Sequence, residues 1–91
     1  MPSTYAPGRD IVVATVDGIK SELKQKIAET EGDFVFDLEG VEMVDSKGIG
    51  LLISAFTSLS ERERRLKIVH TPPDILELFR AMRMNQHFAI E

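Results

Sequence analysis

Residues 43–53 read Met-Val-Asp-Ser-Lys-Gly-Ile-Gly-Leu-Leu-Ile and join the end of an apolar run to the start of a helix. Asp45 is the expected N-cap, because its carboxylate can accept hydrogen bonds from the free N–H groups of the first turn and its charge suits the positive helix end. Ser46 then lies in that first turn. A phosphate on Ser46 would meet unpaired backbone donors and a favourable dipole, so this serine is a candidate switch residue.

The helix predicted from Ser46 has the clearest periodicity in the chain. Its apolar residues recur at spacings of three and four on a face that should pack against a sheet: Ile49, Leu52, Ile53, Phe56 and Leu59. Leu51 falls on the flank away from that face and is a candidate apolar contact for a partner. Gly48 and Gly50 stand in the opening turn, although glycine inside a helix costs about 1 kcal/mol relative to alanine. Either another molecule approaches the backbone closely here, or the glycines fit against a neighbouring strand or loop.

Short apolar runs alternate with amphipathic segments along the rest of the chain. Residues 2–9 hold two prolines and a glycine, which predicts an irregular arm or a short edge strand. Strands are predicted over residues 11–16, 34–38, 66–69 and 88–90. Two further helices are predicted from their apolar faces, one with Ile19, Leu23 and Ile27, the other with Ile75, Leu78, Phe79 and Met82. This order predicts a single α/β domain over residues 1–91, with a mixed, partly parallel sheet of about four to five strands and helices packed against it.

Composition excludes several classes of function. The 91 residues contain no cysteine, so a disulfide framework or a cysteine zinc site is impossible, and His70 and His87 show no metal-ligand spacing. The net charge of −4 and the scattered basic residues argue against a nucleic-acid partner. No segment reaches the roughly 18 apolar residues that a membrane span needs, and no basic region followed by a hydrophobic stretch begins the chain. We therefore expect a cytoplasmic protein with no metal and no direct membrane insertion.

Residues 45–50, Asp-Ser-Lys-Gly-Ile-Gly, resemble the D-S-x-G-[L/I]-G segment of the STAS family, the domain shared by bacterial anti-sigma factor antagonists and the cytoplasmic tails of sulfate transporters. The resemblance covers nearly the whole chain, because Phe36-Asp37-Leu38 precedes the segment, and a strand and a Pro-Asp helix start follow it at suitable distances. It implies that Ser46 is the serine that an anti-sigma kinase phosphorylates, that Asp45 is the acidic residue before it, and that Gly48 and Gly50 keep the first turn uncluttered.

Other residues match the family pattern less closely. Asp17 looks like the acidic residue of a loop that follows the preceding strand and lies close to the phosphorylation site. Ala14 stands where a glycine often begins that loop. Lys47 stands where many antagonists have a second serine or another small residue.

The resemblance implies a protein-binding regulator with no cofactor of its own. Unphosphorylated Ser46 would lie in a surface that binds an anti-sigma factor with serine kinase activity. Phosphorylation of Ser46 would end that complex, and a separate serine phosphatase would restore it. The expected partner-binding residues are Asp17, Asp45, Ser46, Lys47, Gly48, Ile49, Gly50 and Leu51.

Lys47 leaves a second function open, that of a STAS adaptor without a phosphorylation switch, for instance a small subunit of a lipid-transport complex of the ABC type. A nucleotide-sensing STAS module is a third, supported only by the breadth of the family. An enzyme is not expected, because no motif pairs Ser46 with a histidine base and Gly48-x-Gly50 lacks the third glycine of a dinucleotide fingerprint. No residue is therefore assigned as catalytic.

Overall fold

Three helices alternate with four parallel strands over the residues that the computed structural model describes, 3–86 and 89–91. The strands pair in the order β1 (Ser3–Tyr5), β2 (Phe34–Asp37), β3 (Leu66–Val69) and β4 (Ala89–Ile90). The helices are α1 (Val16–Glu29), α2 (Ser46–Glu61) and α3 (Pro73–Ala81), and a 3-10 turn follows at Met84–Gln86. The predicted α/β domain is confirmed, and within the described residues every strand pairing is parallel.

The core lies against one face of the sheet. The parallel register pairs Phe34 with Leu66 and Phe36 with Ile68, and all four side chains are buried, whereas the residues between them are more exposed. This alternation is the pattern of a strand with one buried face. The helices bring their own apolar residues to the same core: Ile19, Leu23 and Ile27 from α1, Leu52 and Leu59 from α2, and Ile75 and Phe79 from α3.

The arm at the beginning of the chain forms the edge strand that its sequence allows. Tyr5 packs its ring edge-on against Phe36 with the centroids 5.5 Å apart, and its hydroxyl donates to Glu22 Oε1 at 2.7 Å. Arg9 also contacts Glu22, in an exposed ion pair. These contacts join β1 and the following loop to α1. At the other end of the chain, β4 confirms the predicted closing strand at residues 89 and 90, while Phe88 and His87 lie outside the described residues.

The strand predicted over residues 11–16 is wrong. Ile11 forms only an isolated parallel bridge with Val44, a turn follows, and α1 begins at Val16. The hydroxyl of Thr15 accepts from the amide of Val12 at 3.0 Å and donates to the carbonyl of Asp10 at 2.6 Å. These local side-chain bonds offer the backbone a turn in place of a strand ladder, and a hydrophobicity pattern does not reveal them.

Three apolar residues that were predicted to be buried are exposed. Ile53 is 45% exposed because the buried arc of α2 is centred on Leu52 and Leu59, and Ile53 lies about 100° around the helix from Leu52. Leu78 on α3 is 36% exposed, and Met82, which follows the end of that helix, is 49% exposed. The periodicity of apolar residues predicted each helix correctly, but the buried face predicted for α2 and α3 was wider than the one observed.

None of the helices in the described part of the chain has the length and apolar character needed to span a bilayer.

Candidate functional site

Asp45 fixes the start of α2. Its Oδ1 accepts from the amide of Gly48 and its Oδ2 from the amide of Val13, both at 2.9 Å. Its own amide donates to the carbonyl of Ile11 at 3.2 Å. The hydrogen bond from Gly48, followed by that from Val13, lowers the pKa of Asp45 below its ordinary value, so the carboxylate is ionised at neutral pH. The predicted N-cap is confirmed, and the same carboxylate also joins the helix to the turn over residues 12–15.

Asp10 organises the chain that enters the site, and the sequence analysis missed it. Its Oδ1 accepts from the amides of Glu42 and Met43 at 2.8 and 3.1 Å. The next residue, Ile11, donates its amide to the carbonyl of Met43 at 3.0 Å. An aspartate directly after Gly8-Arg9 is a turn signal in the sequence. Its partners are 32 and 33 residues away, however, and no local pattern predicts them.

The two glycines of the opening turn face different surroundings. Gly48 is buried, and a Cβ on it would overlap the carbonyl oxygen of Ile11 and lie 2.9 Å from Val44 Cγ1. Gly48 therefore allows α2 to pack closely on its own neighbouring loop, which corrects the expectation that it keeps the turn open to a partner. Gly50 is exposed, and a Cβ there would have no neighbour within 4 Å. Of these two glycines, Gly50 is the one that leaves its backbone open to another molecule.

Ser46 and Lys47 are exposed at the first two positions of α2. Among the described residues, the Ser46 hydroxyl forms no hydrogen bond, because the cap is completed by Asp45 alone. Two large apolar side chains near this helix start are also exposed, Val13 at 66% and Met43 at 59%. We call Val13, Met43, Ser46, Lys47 and Gly50 the α2-start surface. This surface combines the exposed apolar side chains of Val13 and Met43 with the hydroxyl of Ser46, on a backbone that Asp45 holds through hydrogen bonds.

Two residues expected in a partner contact are buried, and a third, Asp17, lies on a helix. Ile49 and Leu51 are in the core, with exposed fractions of 4% and 6%. Leu51 is therefore not the solvent-facing contact that its place on the helix flank suggested. Asp17 is exposed in the first turn of α1 and not in a loop after a strand. No hydrogen bond or ion pair found in the described residues connects Asp17 with Ser46.

A second group of titratable side chains lies where β2 and β3 end. His70 Nδ1 is 2.8 Å from Asp37 Oδ1, and Glu39 brings a third potential ligand atom, all within 4.8 Å of one another. The hydrogen bond from the Glu39 amide, with a further contribution from His70, lowers the pKa of Asp37, and the bond to Asp37 raises the pKa of His70. The sequence showed no spacing that would bring His70 to carboxylates. The bond between His70 and Asp37 is the direct contact that this group makes across the strand ends.

Comparison with known proteins identifies one matching family, and several solved structures share the fold of this chain. The STAS domain family model matches residues 3–91. An assigned anti-sigma factor antagonist from Thermotoga maritima superposes with a TM-score of 0.88 at 14% identity, covering 96% of this chain and 75% of that chain. A sulfate transporter family protein from Wolinella succinogenes gives 0.77 at 16% identity, with coverages of 93% and 69%. The anti-sigma factor antagonist SpoIIAA in its unphosphorylated form gives 0.74 at 14% identity, with coverages of 99% and 78%.

Identities this low establish a shared fold and no shared activity. Among curated proteins, no sequence matches this chain significantly.

Proposed function

We propose that this chain, which belongs to the STAS domain family, is an anti-sigma factor antagonist or a closely related partner-switching regulator. It binds an anti-sigma factor with serine kinase activity through the α2-start surface, and phosphorylation of Ser46 releases that partner. The family match and the fold that it shares with two proteins described as anti-sigma factor antagonists support the proposal. The observation that carries it is an exposed serine whose hydroxyl is not needed to cap its own helix.

The surroundings of Ser46 suit a contact between proteins. Val13 and Met43 offer exposed apolar area, and exposed apolar groups that lie together are typical of binding surfaces. Gly50 carries no side chain, so a partner can reach the backbone of α2 one turn beyond Ser46. The backbone of the site is held by the bonds that Asp45 and Asp10 accept, so little ordering is required when a partner binds.

A phosphate on Ser46 changes this surface without disturbing the fold. It adds about −1.5 to −2 charges at neutral pH. The helix start can accommodate them, because its dipole and unpaired amides favour an anion and Lys47 is adjacent. A docked partner, in contrast, would meet a charged group next to the ionised Asp45, at the edge of an apolar contact. Charge placed without a partner in an interface is costly, so the complex dissociates.

The geometry supports Ser46 as the acceptor of a phosphoryl group in the active site of a kinase and not as the nucleophile of an active site in this chain. A catalytic serine needs a neighbouring base that can take its proton. The nearest carboxylate in sequence, that of Asp45, is held by two backbone amides and has a lowered pKa, which makes it a poor base. The ATP and the catalytic groups of the reaction belong to the kinase.

Phosphorylation in vitro tests the proposal. The wild-type chain and the variants Ser46→Ala and Ser54→Ala are incubated with the cognate anti-sigma kinase and MgATP, and the modified residue is located by mass spectrometry. We expect one phosphate on Ser46 in the wild type and in Ser54→Ala, which keeps the candidate site intact, and none in Ser46→Ala. Phosphate on another residue, or unchanged incorporation into Ser46→Ala, would refute the assignment. A stable complex without any modification would favour the adaptor function.

A further inference from the structure

A groove of about 260 Å³ lies between α1 and α2 and shares no residue with the α2-start surface. Its floor is apolar and consists of Leu23 and Ile27 from α1 with Leu51 and Ala55 from α2. The groove gives Leu51 a different setting from the one expected from the sequence: Leu51 is a floor residue of the groove between the helices.

The rim of the groove is positively charged. Lys20 and Lys24 stand on the α1 side and Arg62 at the end of α2, and all three side chains are exposed. In the part of the chain that the structure describes, none of the three takes part in an ion pair, and no carboxylate lines the groove. The chain as a whole carries a net charge of −4. Three unpaired cations around an apolar floor therefore form a local positive site on an acidic domain, which favours an anionic ligand.

The shape of the groove follows the two helix axes. The α1 residues that line it are spaced by three and four, from Lys20 to Ile27, and so are those of α2 from Leu51 to Ser58, with Arg62 directly after the helix. The step from Leu51 to Ser58 corresponds to about 10 Å along the axis of α2. Ser54, Ala55 and Ser58 are small, so a third helix could approach the α1–α2 pair closely and pack into the groove.

We propose that this groove binds an acidic amphipathic helix of a partner protein. The apolar residues of that helix, at spacings of three and four, would lie on the floor, and its Asp and Glu side chains would face Lys20 and Lys24. Because the floor side chains are already at most 6% exposed, little apolar area remains to be covered, and the charge pairs carry the specificity. This surface is separate from the one proposed for partner switching.

The test uses two synthetic helical peptides of about five turns. One has leucines at i, i+3, i+4 and i+7 with glutamates on both flanks, and the other has lysines in place of the glutamates. Each is titrated into the full ¹⁵N-labelled chain, and amide chemical shifts are followed. We expect the acidic peptide alone to shift the amides of Ser54, Ala55 and Ser58. The double variant Lys20→Glu/Lys24→Glu should bind it at least about tenfold more weakly, and added salt should weaken wild-type binding.

Matched variants separate this proposal from partner switching. Lys26→Glu reverses an exposed charge on the same helix outside the groove, and should change the affinity less than about twofold. Ser46→Asp should leave peptide binding unchanged, so failure at one surface does not imply failure at the other. The groove proposal is overturned if both peptides bind equally, if the shifts fall outside the groove, or if the double variant binds normally with an unchanged amide spectrum. A wild-type dimer that the double variant dissociates would identify a second copy as the occupant and would also overturn it.

Discussion

At the scale of single residues, the site depends on which glycine of α2 faces the rest of the protein and which faces solvent. Gly48 and Gly50 are two positions apart in one short motif, yet the first is buried against Ile11 and the second is open. The difference comes from a loop 37 residues earlier in the chain. The sequence places two glycines in this turn, but it does not show which of them packs against another part of the same chain.

Replacing each glycine by alanine should give opposite changes in stability. Gly48→Ala places a Cβ against the backbone carbonyl of Ile11, which cannot move aside cheaply, and should lower the free energy of unfolding by about 3 kcal/mol. Gly50→Ala adds a methyl group in open space and gains helix propensity, so it should raise the free energy of unfolding by up to about 1 kcal/mol. Urea denaturation measures both. Equal stability of the two variants would contradict the packing described for Gly48.

At the scale of secondary structure, helices were predicted better than the remaining backbone. α2 begins at Ser46 as its cap signal indicates, and the spacing of Ile19, Leu23 and Ile27 correctly located α1. Helix signals are local, because caps and apolar periodicity lie within a few residues of the element. The turn at residues 12–15 depends on the Thr15 hydroxyl and on Asp45, 32 residues away from Val13, so an apolar, β-branched run was taken for a strand.

The Arg64 side chain makes further long-range contacts that the sequence did not reveal. Its Nε donates to the carbonyl of Gly32 at 2.5 Å, its Nη1 to the carbonyl of Ile27 at 2.9 Å, and its Nη2 to the Thr30 hydroxyl at 3.0 Å. The guanidinium also lies 5.9 Å from the centre of the Phe34 ring. One side chain thus connects the start of β3 to the end of α1 and the start of β2.

Removing this side chain should destabilise the fold through all of these contacts. Arg64→Ala should lower the free energy of unfolding by about 2 to 4 kcal/mol, because carbonyls at the end of α1 lose their donors. Arg64→Lys keeps the charge but lacks the planar fork, and should recover less than about half of the loss. The exposed neighbour gives the control, since Arg65→Ala should change stability by less than about 0.5 kcal/mol. Thermal or urea unfolding of Arg64→Lys that matches the wild type would argue against the forked contact.

At the scale of the whole molecule, the sheet packs its core on one face and carries ion pairs between neighbouring parts of its strands and their ends. Lys67 pairs with Glu91 across β3 and the end of the chain, and His70 pairs with Asp37 across β3 and β2. The sequence predicted the helices and most of the strands of this α/β domain. It did not predict which charged residues would meet at the strand ends, because such pairs depend on the sheet register.

The His70–Asp37 pair should make stability depend on pH. The folded pKa of His70 is raised from 6.5, so its contribution is complete below that value and is lost as the pH rises through the folded pKa. The folded pKa of Asp37 is lowered from 3.8, so its contribution is present above that value and is lost as the pH falls through the folded pKa. The pair therefore stabilises the fold most between these two ordinary values.

Urea midpoints at about pH 5.5 and about pH 8.5 measure this effect. The stability advantage of the wild type over His70→Gln should be larger at the lower pH and should shrink at the higher one. Asp37→Asn should remove the same pH dependence, and the double variant should show no further change. An advantage over His70→Gln that is identical at both pH values would show that the pair does not form.

Charge on Ser46 is proposed to end binding to the anti-sigma kinase while the fold stays intact. The most direct measurement is the dissociation constant of the full chain for that kinase, by titration calorimetry, for the wild type, Ser46→Ala and Ser46→Asp, each with its urea midpoint. We expect Ser46→Ala to bind within about threefold of the wild type and Ser46→Asp to bind at least about thirtyfold more weakly, with all three midpoints alike. Ser46→Asp binding as tightly as Ser46→Ala would contradict this proposal.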